Sequence, residues 1–400
     1  MKPLPPPLPF DPLDPVALTQ ALVRCPSVTP AEGGALALLD SVLSTAGYSV
    51  DRPVFSDPDT PDVENLYARI GTEGPVLVIA GHTDVVPPGD LGQWSRDPFS
   101  GQVEDGVLHG RGACDMKGGL ASMISAALRF RRDYPDAPGS IAFLVTGDEE
   151  SVAVNGTVKL LDWAKARGER FDHCLLGEPT NPATMSDMIK IGRRGSLTGR
   201  LVVHGKQGHV GYPHLADNPI RGMVRLLAAL DATPLDTGTA YFDPSNLEVT
   251  TLDVGNPATN VVPGQAKAVF NIRFNDIWTP ESLAAELDRR LRDAAGNQVR
   301  YELEVQPTNA VAFLTEPGPF VALVADAVEA ETGKRPALST TGGTSDARFI
   351  KSHCPVVEFG VVGQTMHQID ERVAVSDLLC LERITHRLLE SYFAATQHGA

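Results

Sequence analysis

Histidine and carboxylate residues occur in short stretches that could together supply the ligands of a metal site. These stretches are GHTDVVPPGD (81–90), GRGACDMKGG (110–119), TGDEES (146–151), GEPT (177–180) and MHQID (366–370). Zinc binds imidazole and carboxylate groups, and a catalytic zinc site leaves one position open for water. Because zinc lowers the pKa of that water from about 15.7 to near 7, the chemistry such a set would perform is hydrolysis.

The first stretch places His82 two residues before Asp84. At the end of an extended strand these side chains would point to the same face. The Asp84 carboxylate could then accept one imidazole N–H and leave the other nitrogen for a metal. The alternative is an ordinary surface histidine beside a turn, and the pair alone does not separate these two interpretations.

The second stretch places Asp115 in a glycine-flanked loop before a predicted helix that starts near Lys117. An aspartate at this position could simply cap the helix. The flanking glycines also permit unusual backbone angles and close approach. That freedom suits a carboxylate that bridges two cations.

The remaining acids are equally ambiguous when taken singly. Asp148, Glu149 and Glu150 follow a predicted strand, and neighbouring side chains there point in different directions. One glutamate could therefore ligate a metal while the other stays free as a base. A solvated acidic turn is the alternative, and Glu178 and His367 have equally ordinary explanations.

Four apolar runs precede most of these polar residues, and each is short and β-rich, as in strands buried on both faces. They cover 75–80, 140–145, 174–176 and 355–359. In an open α/β sheet, ligands collect beyond the carboxyl ends of the strands, so four separate segments could converge on one site. Helical spacing is predicted at 15–24, 33–46, 318–331 and 376–395.

The pattern changes between residues 195 and 308, where alternating segments at 198–204, 247–254 and 266–274 combine with helical stretches at 218–231 and 280–295. This pattern indicates an inserted α+β domain. A chain of 400 residues also exceeds what one core usually supports. We therefore predict a discontinuous α/β catalytic domain, 1–194 with 309–400, and an inserted domain at 195–308.

Composition excludes several classes of function. The formal net charge of −16 opposes nucleic-acid binding and means that an anionic substrate would need local arginines or metal cations. The five cysteines are scattered and never form CxxC, which argues against a disulfide framework and favours a reducing cytoplasm. Residues 1–15 are proline-rich without a signal-peptide core, and no membrane span is predicted. The proline run is interpreted as a solvated extension.

The chain resembles the superfamily of dinuclear-zinc aminoacylases, carboxypeptidases and deacylases. The resemblance lies in the order and spacing, over nearly the whole chain, of HTD, the GRGACDMKGG loop, the DEE triplet, GEP and a late histidine. The resemblance implies a mixed-sheet zinc-hydrolase domain with an inserted dimerisation or lid domain. It implies two zinc ions per subunit, with cobalt able to replace one, and a cis peptide bond after Asp115.

Carried over residue by residue, the resemblance makes Asp115 the bridging ligand and Glu149 the general base, while Asp84 orients its neighbouring histidine. The other ligands are His82 and Glu178 on one ion, and Glu150 and His367 on the other. Two zinc ions (+4), three ligand carboxylates (−3) and a bridging hydroxide (−1) sum to zero. Cys114, which stands where a small residue is expected, is interpreted as packing.

Three stretches are most similar to the desuccinylase members of that superfamily. They are GHTDVVPPGDLGQW, GHVGYPHLADNPI (208–220) and GGTSDARF (342–349). The implied reaction is hydrolysis of N-succinyl-LL-2,6-diaminopimelate in lysine and diaminopimelate biosynthesis. His209 would assist the oxyanion from the partner subunit of a homodimer formed through the inserted domain. Substrate contacts are expected from Arg193 (or Arg194), Asn260, Arg273, Gly343, Thr344, Ser345 and Arg348.

Other functions remain open from sequence. Another deacylase of the superfamily, such as an acetylornithine deacetylase or an aminoacylase, would share the metals and the base without needing a succinyl pocket. A catalytically silent metal-binding scaffold would have no use for an unligated Glu149. A dinuclear phosphoesterase would use similar ligands, but the order of the motifs matches none.

Overall fold

A computed structural model of the chain describes residues 8–395, so the first half of the proline-rich extension lies outside the described residues. The described chain divides into two compact units. The first comprises residues up to Ile191 together with 315–339 and 345 onward, and the second comprises 192–314 and 340–344.

The helices, in chain order, are α1 (Pro15–Val23), α2 (Ala35–Thr45), α3 (Lys117–Asp133), α4 (Thr157–Ala166), α5 (Pro219–Asp231), α6 (Pro280–Ala295), α7 (Pro319–Thr332), α8 (Ala347–Ile350) and α9 (Val375–Ala395). Short 3-10 helices occupy Leu91–Gln93 and Pro213–Leu215. The predicted helices are thus found within one residue of their expected bounds, except that α2 begins two residues later.

The strands before the second unit are β1 (Ser49–Asp51), β2 (Val54–Asp57), β3 (Thr60–Glu64), β4 (Leu66–Ile70), β5 (Val76–His82), β6 (Gln102–Glu104), β7 (Val107–His109), β8 (Ser140–Thr146), β9 (His173–Leu176) and β10 (Met188–Lys190). Those of the second unit are β11 (Gly192–Arg193), β12 (Gly195–His204), β13 (Gly208–His209), β14 (Asn246–Asp253), β15 (Val261–Val262), β16 (Gln265–Phe274), β17 (Arg300–Val305) and β18 (Phe313–Leu314). The last are β19 (Ala337–Ser339), β20 (Val356–Glu358) and β21 (Arg372–Ala374).

An eight-stranded mixed sheet with the order β1-β4-β8-β5-β9-β20-β10-β19 forms the centre of the first unit. β8, β5, β9 and β20 are mutually parallel, whereas β4 and β10 run antiparallel to their inner neighbours. Every residue of β5 and β8 is buried, because both faces of the sheet are covered. The four predicted strands are therefore confirmed, and their carboxyl ends share one edge.

Helix α3 begins close behind that edge, and glycine makes the approach possible. A side chain on Gly119 would place its Cβ 2.4 Å from the carbonyl oxygen of Gly177, the residue before Glu178. Only a residue without Cβ fits there without displacing one of the two backbones. The first turn of α3 is thereby held against the end of β9.

The second unit contains a four-stranded antiparallel sheet with the order β14-β16-β12-β17. Alternate residues of β12 and β16 are buried, and they pack with α5 and α6 around Phe270 and Phe274. This unit has the α+β composition that was predicted for the insertion.

The boundaries of the second unit differ slightly from those predicted at 194/195 and 308/309. The two connecting segments, β11 and β18, pair with each other, so residues 192–194 and 309–314 belong to the second unit. Residues 340–344 also belong to it, where Thr340 donates a hydrogen bond to the Tyr241 carbonyl (2.6 Å). No helix within residues 8–395 is both long and apolar enough to cross a bilayer.

Candidate metal centre

The first unit brings the five predicted metal ligands together at one edge of its large sheet. His82 is the last residue of β5, and Glu178 follows β9 by two residues. Glu150 lies just beyond β8, the other neighbour of β5. Parallel strands carry these three side chains to the same edge, whereas Asp115 and His367 arrive on loops.

Asp115 lies between the two histidines. Its Oδ1 is 3.4 Å from His82 Nε2, and its Oδ2 is 3.4 Å from His367 Nε2. Each carboxylate oxygen therefore faces a different imidazole. The Asp115–Met116 peptide bond is cis, as the family resemblance implied.

The ligand atoms form two triads that share Asp115. His82, Asp115 and Glu178 form one, Asp115, Glu150 and His367 form the other, and within each triad the ligand atoms lie within 4.8 Å of one another. A third group that meets the same limit, His82 with Glu149 and Glu150, reuses ligands of both triads and adds only Glu149. The arrangement is the one expected of a carboxylate that bridges two cations.

The orphaned imidazole nitrogen of His82 fits a metal ligand. The side chain is 1% exposed, and its Nε2 has no hydrogen-bond partner among residues 8–395. Its Nδ1 lies 2.9 Å from the Asp84 carbonyl oxygen, so the N–H can be placed on Nδ1. Buried polar atoms are rarely left unpaired, and a lone pair on Nε2 between carboxylates is well suited to a cation.

Asp84 contacts more than its neighbouring histidine. Its carboxylate is 3.5 Å from His82 Nδ1, whereas its carbonyl oxygen is only 2.9 Å from that nitrogen. The carboxylate accepts hydrogen bonds from the backbone N–H groups of Glu149 (3.2 Å) and Glu150 (3.1 Å). Burial raises the pKa of Asp84 to about 6, although His82 and the two amides favour its charged form. Asp84 thus holds the acidic turn as well as the end of β5.

The acids of that turn have separate surroundings. Asp148 is buried and accepts hydrogen bonds from the amides of Val154 and Asn155, so it stabilises the loop. Glu149 lies beside both triads, where burial, and next the Glu178 carboxylate, raise its pKa well above the usual value. A carboxylate that binds a proton more readily than usual is suited to act as a base.

Cys114 has the packing role expected of it. The side chain is fully buried, and its Sγ is 3.4 Å from Glu371 Oε1. Burial raises the pKa of this thiol well above its ordinary value, and the nearby carboxylates act in the same direction. A thiol in this state is a poor nucleophile.

Glu371 was not identified from the sequence, although it directly follows the MHQID stretch. It is completely buried and accepts hydrogen bonds from the backbone N–H groups of Cys114 and Asp115. Its other oxygen accepts from Arg111. The signal in the sequence was a charged residue within one ligand-bearing stretch, Arg111, and another directly after a second stretch, Glu371. Nothing in the spacing showed that the two residues meet.

Two of the predicted substrate residues, Ser345 and Arg348, belong to the first unit. The Ser345 hydroxyl donates to Glu358 (2.6 Å), so that donor is already used. The Arg348 side chain is only 7% exposed, and its Nε and Nη1 have no hydrogen-bond partner in the described part of the chain. Its nearest acid is Asp346, at 3.7 Å. Arg348 therefore has donors free for an anion.

The remaining predicted residues lie in the second unit: Arg193, His209, Asn260, Arg273, Gly343 and Thr344. His209 is exposed, and its Nδ1 accepts from the Gly211 amide (3.0 Å). Arg193 is buried and donates to the Gly343 carbonyl (3.3 Å), whereas Arg194 is half-buried and donates to Asn246 (3.0 Å). The functional roles of these residues stay predictions.

Comparison with known proteins shows what this chain is similar to. The profile of peptidase family M20/M25/M40 matches residues 78–391. A succinyl-diaminopimelate desuccinylase of Methylorubrum extorquens (strain PA1) is 71% identical over 380 residues, which cover 95% of this chain and 99% of that protein. A protein of the same name from Bradyrhizobium sp. (strain ORS 278) is 59% identical over 382 residues, covering 95% and 100%.

Solved structures show the same fold at low sequence identity. Aminopeptidase PepT from Bacillus cereus ATCC 10987 is 21% identical with a TM-score of 0.76, covering 96% of this chain and 99% of that one. The YXEP protein of Bacillus subtilis, a dinuclear metal-binding peptidase, is 16% identical with a TM-score of 0.68, covering 95% and 98%. These similarities support the fold.

The two-triad geometry predicts that chelated protein takes up one zinc ion per triad, two in all, because Asp115 has one oxygen for each. His367→Ala should leave one tight site, and Asp115→Ala should leave none of comparable affinity. Calorimetric titration with zinc measures both changes. His386→Ala, a half-buried histidine paired with Asp133 and Glu390, is the control and should bind as the wild type does. Two tight sites in Asp115→Ala would contradict the bridging assignment.

Proposed function

Because the chain belongs to peptidase family M20/M25/M40, we propose that it hydrolyses the amide bond of N-succinyl-LL-2,6-diaminopimelate to succinate and LL-2,6-diaminopimelate. This reaction is a step in lysine and diaminopimelate biosynthesis. Its chemistry is supported above all by the position of Asp115 between His82 and His367, with Glu149 beside both triads. Its substrate is supported by the names and high identity of the desuccinylase relatives.

We propose two zinc ions per subunit, with cobalt able to replace zinc at one site. His82 and Glu178 would hold one ion, Glu150 and His367 the other, and Asp115 both. Zinc bound there would polarise the amide carbonyl and lower the pKa of water. The three ligand carboxylates offset most of the charge of two divalent ions, so the cluster needs few other counter-ions.

Glu149 is proposed as the residue that moves protons. Its side chain lies beside both triads, and its backbone amide donates a hydrogen bond to the Asp84 carboxylate (3.2 Å), which holds it in place. Glu149 would take a proton from the attacking water and deliver it to the nitrogen of the leaving amine. The second transfer returns the carboxylate to its starting state.

Glu149→Gln should lower kcat by about 10²–10⁴-fold, because the amide keeps the shape of the side chain but cannot carry the proton. Zinc uptake should be unchanged. Steady-state hydrolysis of N-succinyl-diaminopimelate, with zinc content measured on the same samples, tests this. Glu73→Gln, an exposed glutamate, is the control. Undiminished turnover in Glu149→Gln would exclude it as the base, and absence of turnover in the zinc-loaded wild type would instead support a silent scaffold.

Arg348 is proposed to bind the free carboxylate of the succinyl group. A guanidinium has a planar set of donors that matches a carboxylate, and two nitrogens of this one lack partners in the described part of the chain. Arg193, Arg273, Asn260, Gly343, Thr344 and Ser345 are proposed to line the rest of the substrate site. Such arginines also counter a net charge of −16, which would otherwise repel an anionic substrate.

Arg348→Ala should raise KM at least about tenfold for the succinylated substrate, which is the scale of one lost charge-assisted hydrogen bond. KM for N-acetylornithine should change little, because an acetyl group has no carboxylate. Initial rates over a range of concentrations of each substrate give both constants. Arg335→Ala, an exposed arginine paired with Asp326, is the control. Equal effects on the two substrates would favour a different deacylase of the family.

A homodimer formed through the second unit is also proposed. β14 ends the order of its sheet, so one edge of β14 pairs with no strand within residues 8–395. Val249 and Leu252 on this strand are 43% and 57% exposed. An exposed edge strand with apolar side chains is a surface on which a second copy can pair. His209 would then assist the oxyanion of the partner's reaction, and Asn260 would reach the same site.

The five free cysteines support a reducing cytoplasm as the location.

The double substitution Val249→Glu with Leu252→Glu should convert a dimer to a monomer, because it places negative charges on the strand at which the two copies would pair. Sedimentation velocity measures the mass. Leu91→Glu, at a residue of the first unit that is 62% exposed, should remain dimeric. Activity should fall with dissociation, since His209 would no longer reach the partner's substrate. A monomer with full kcat would contradict the role given to His209.

A further inference from the structure

Glu371 links two chain segments that carry metal ligands. Its Oε1 accepts hydrogen bonds from the backbone N–H groups of Cys114 (3.1 Å) and Asp115 (3.2 Å). Its Oε2 accepts from Arg111 Nη1 at 2.5 Å. Glu371 itself lies four residues after His367 in the chain. One completely buried carboxylate is thus tied to the bridging aspartate by its side chain and to a metal-binding histidine by its backbone.

Arg111 completes the connection. Its guanidinium is buried, donates to the His367 carbonyl oxygen (3.4 Å), and lies over the ring of Trp94 at 5.3 Å. The Gly110 amide donates to the Glu371 carbonyl oxygen (2.8 Å). The segments 110–115 and 367–371 therefore contact each other through both side chains and backbone.

The His367 segment needs such support because its backbone is strained. His367 has φ +61° and Asp370 has φ +57°, both in the left-handed region that residues with a Cβ rarely adopt. Such conformations persist only where the surroundings hold them. Asp370 is held by Ser95, whose amide and hydroxyl donate to its carboxylate (2.8 and 3.0 Å). Nothing comparable is needed for His82 or Glu178, which lie at strand ends of the main sheet.

We propose that Glu371, with Arg111, is a positioning residue that sets the distance between Asp115 and His367 and so tunes the metal site formed by Asp115, Glu150 and His367. The site formed by His82, Asp115 and Glu178 depends on it less, since the main sheet places its other ligands. This inference rests on the metal binding that belongs to the proposed function.

The test is Glu371→Gln, which preserves shape and removes an acceptor. Glutamine has one oxygen, so its amide NH₂ must face either the two backbone N–H groups or the Arg111 guanidinium, and donors would then face donors. Titration of the chelated protein with cobalt, followed by visible absorption, separates the first equivalent from the second. The site of Asp115, Glu150 and His367, identified as the one that His367→Ala abolishes, should lose about 10–100-fold in affinity, the scale of a lost partner of a metal ligand. The other site should change less than about threefold.

Two variants separate positioning from general stability. Glu382→Gln removes a carboxylate of similar burial that pairs with Arg129 between α3 and α9, so it should lower the melting temperature of the chelated protein and leave both cobalt affinities unchanged. Arg111→Lys keeps a cation beside Glu371 but loses the fork that also reaches His367. It should therefore weaken the same site as Glu371→Gln, by a smaller factor.

Selective loss at the site that contains His367 in Glu371→Gln, with both sites intact in Glu382→Gln, would support the proposal, and selective loss at the site that contains His82 would overturn it. Unchanged cobalt affinities in Glu371→Gln, or equal losses at both sites, would overturn it. The outcome is independent of the substrate: a wild type that binds two cobalt ions without hydrolysing succinylated substrate would contradict the proposed function and leave this inference standing.

Discussion

Mutual repulsion among carboxylates is the constraint on which this structure depends. Asp84, Asp115, Glu149, Glu150 and Glu178 converge at one edge of the main sheet, and Asp84, Asp115 and Glu178 are buried. Carboxylates this close together, away from bulk water, repel one another and oppose the compact state. At Glu149, burial and next the Glu178 carboxylate raise the pKa of the side chain. Cations between the carboxylates would remove this repulsion, so binding and folding are coupled.

The protein holds these groups in place by two different means. His82 and Glu178 extend from buried strands, and Gly119 brings α3 close behind them, so the sheet itself fixes their positions. Asp115 and His367 lie on loops and need polar contacts. Glu371 and Arg111 supply those contacts. Core strands thus place His82 and Glu178, whereas a buried ion pair contacts the loops that carry Asp115 and His367.

The sequence predicted that the five proposed ligands lie together, partly from local strand signals and partly from the family resemblance of the motifs. An apolar run that ends in His82 or precedes Glu178 can be seen in one segment of the chain, and parallel strands bring such ends to one edge. The contacts of Asp84 could not be found in that way, because its carboxylate meets amides 65 and 66 residues along the chain. The pairing of Arg111 with Glu371 could not be predicted either, because these residues are 260 positions apart in the chain. Pairing of β11 with β18 likewise moved the unit boundaries by a few residues.

The central claim is that Asp115 bridges two metal ions. X-ray absorption at the zinc edge of the zinc-loaded protein tests it most directly, because scattering from a second metal reports the distance between the ions. A zinc–zinc separation of about 3.5–4 Å, with nitrogen and oxygen neighbours only, is the predicted result. Two bound zinc ions without scattering from a metal neighbour at that distance would contradict the account.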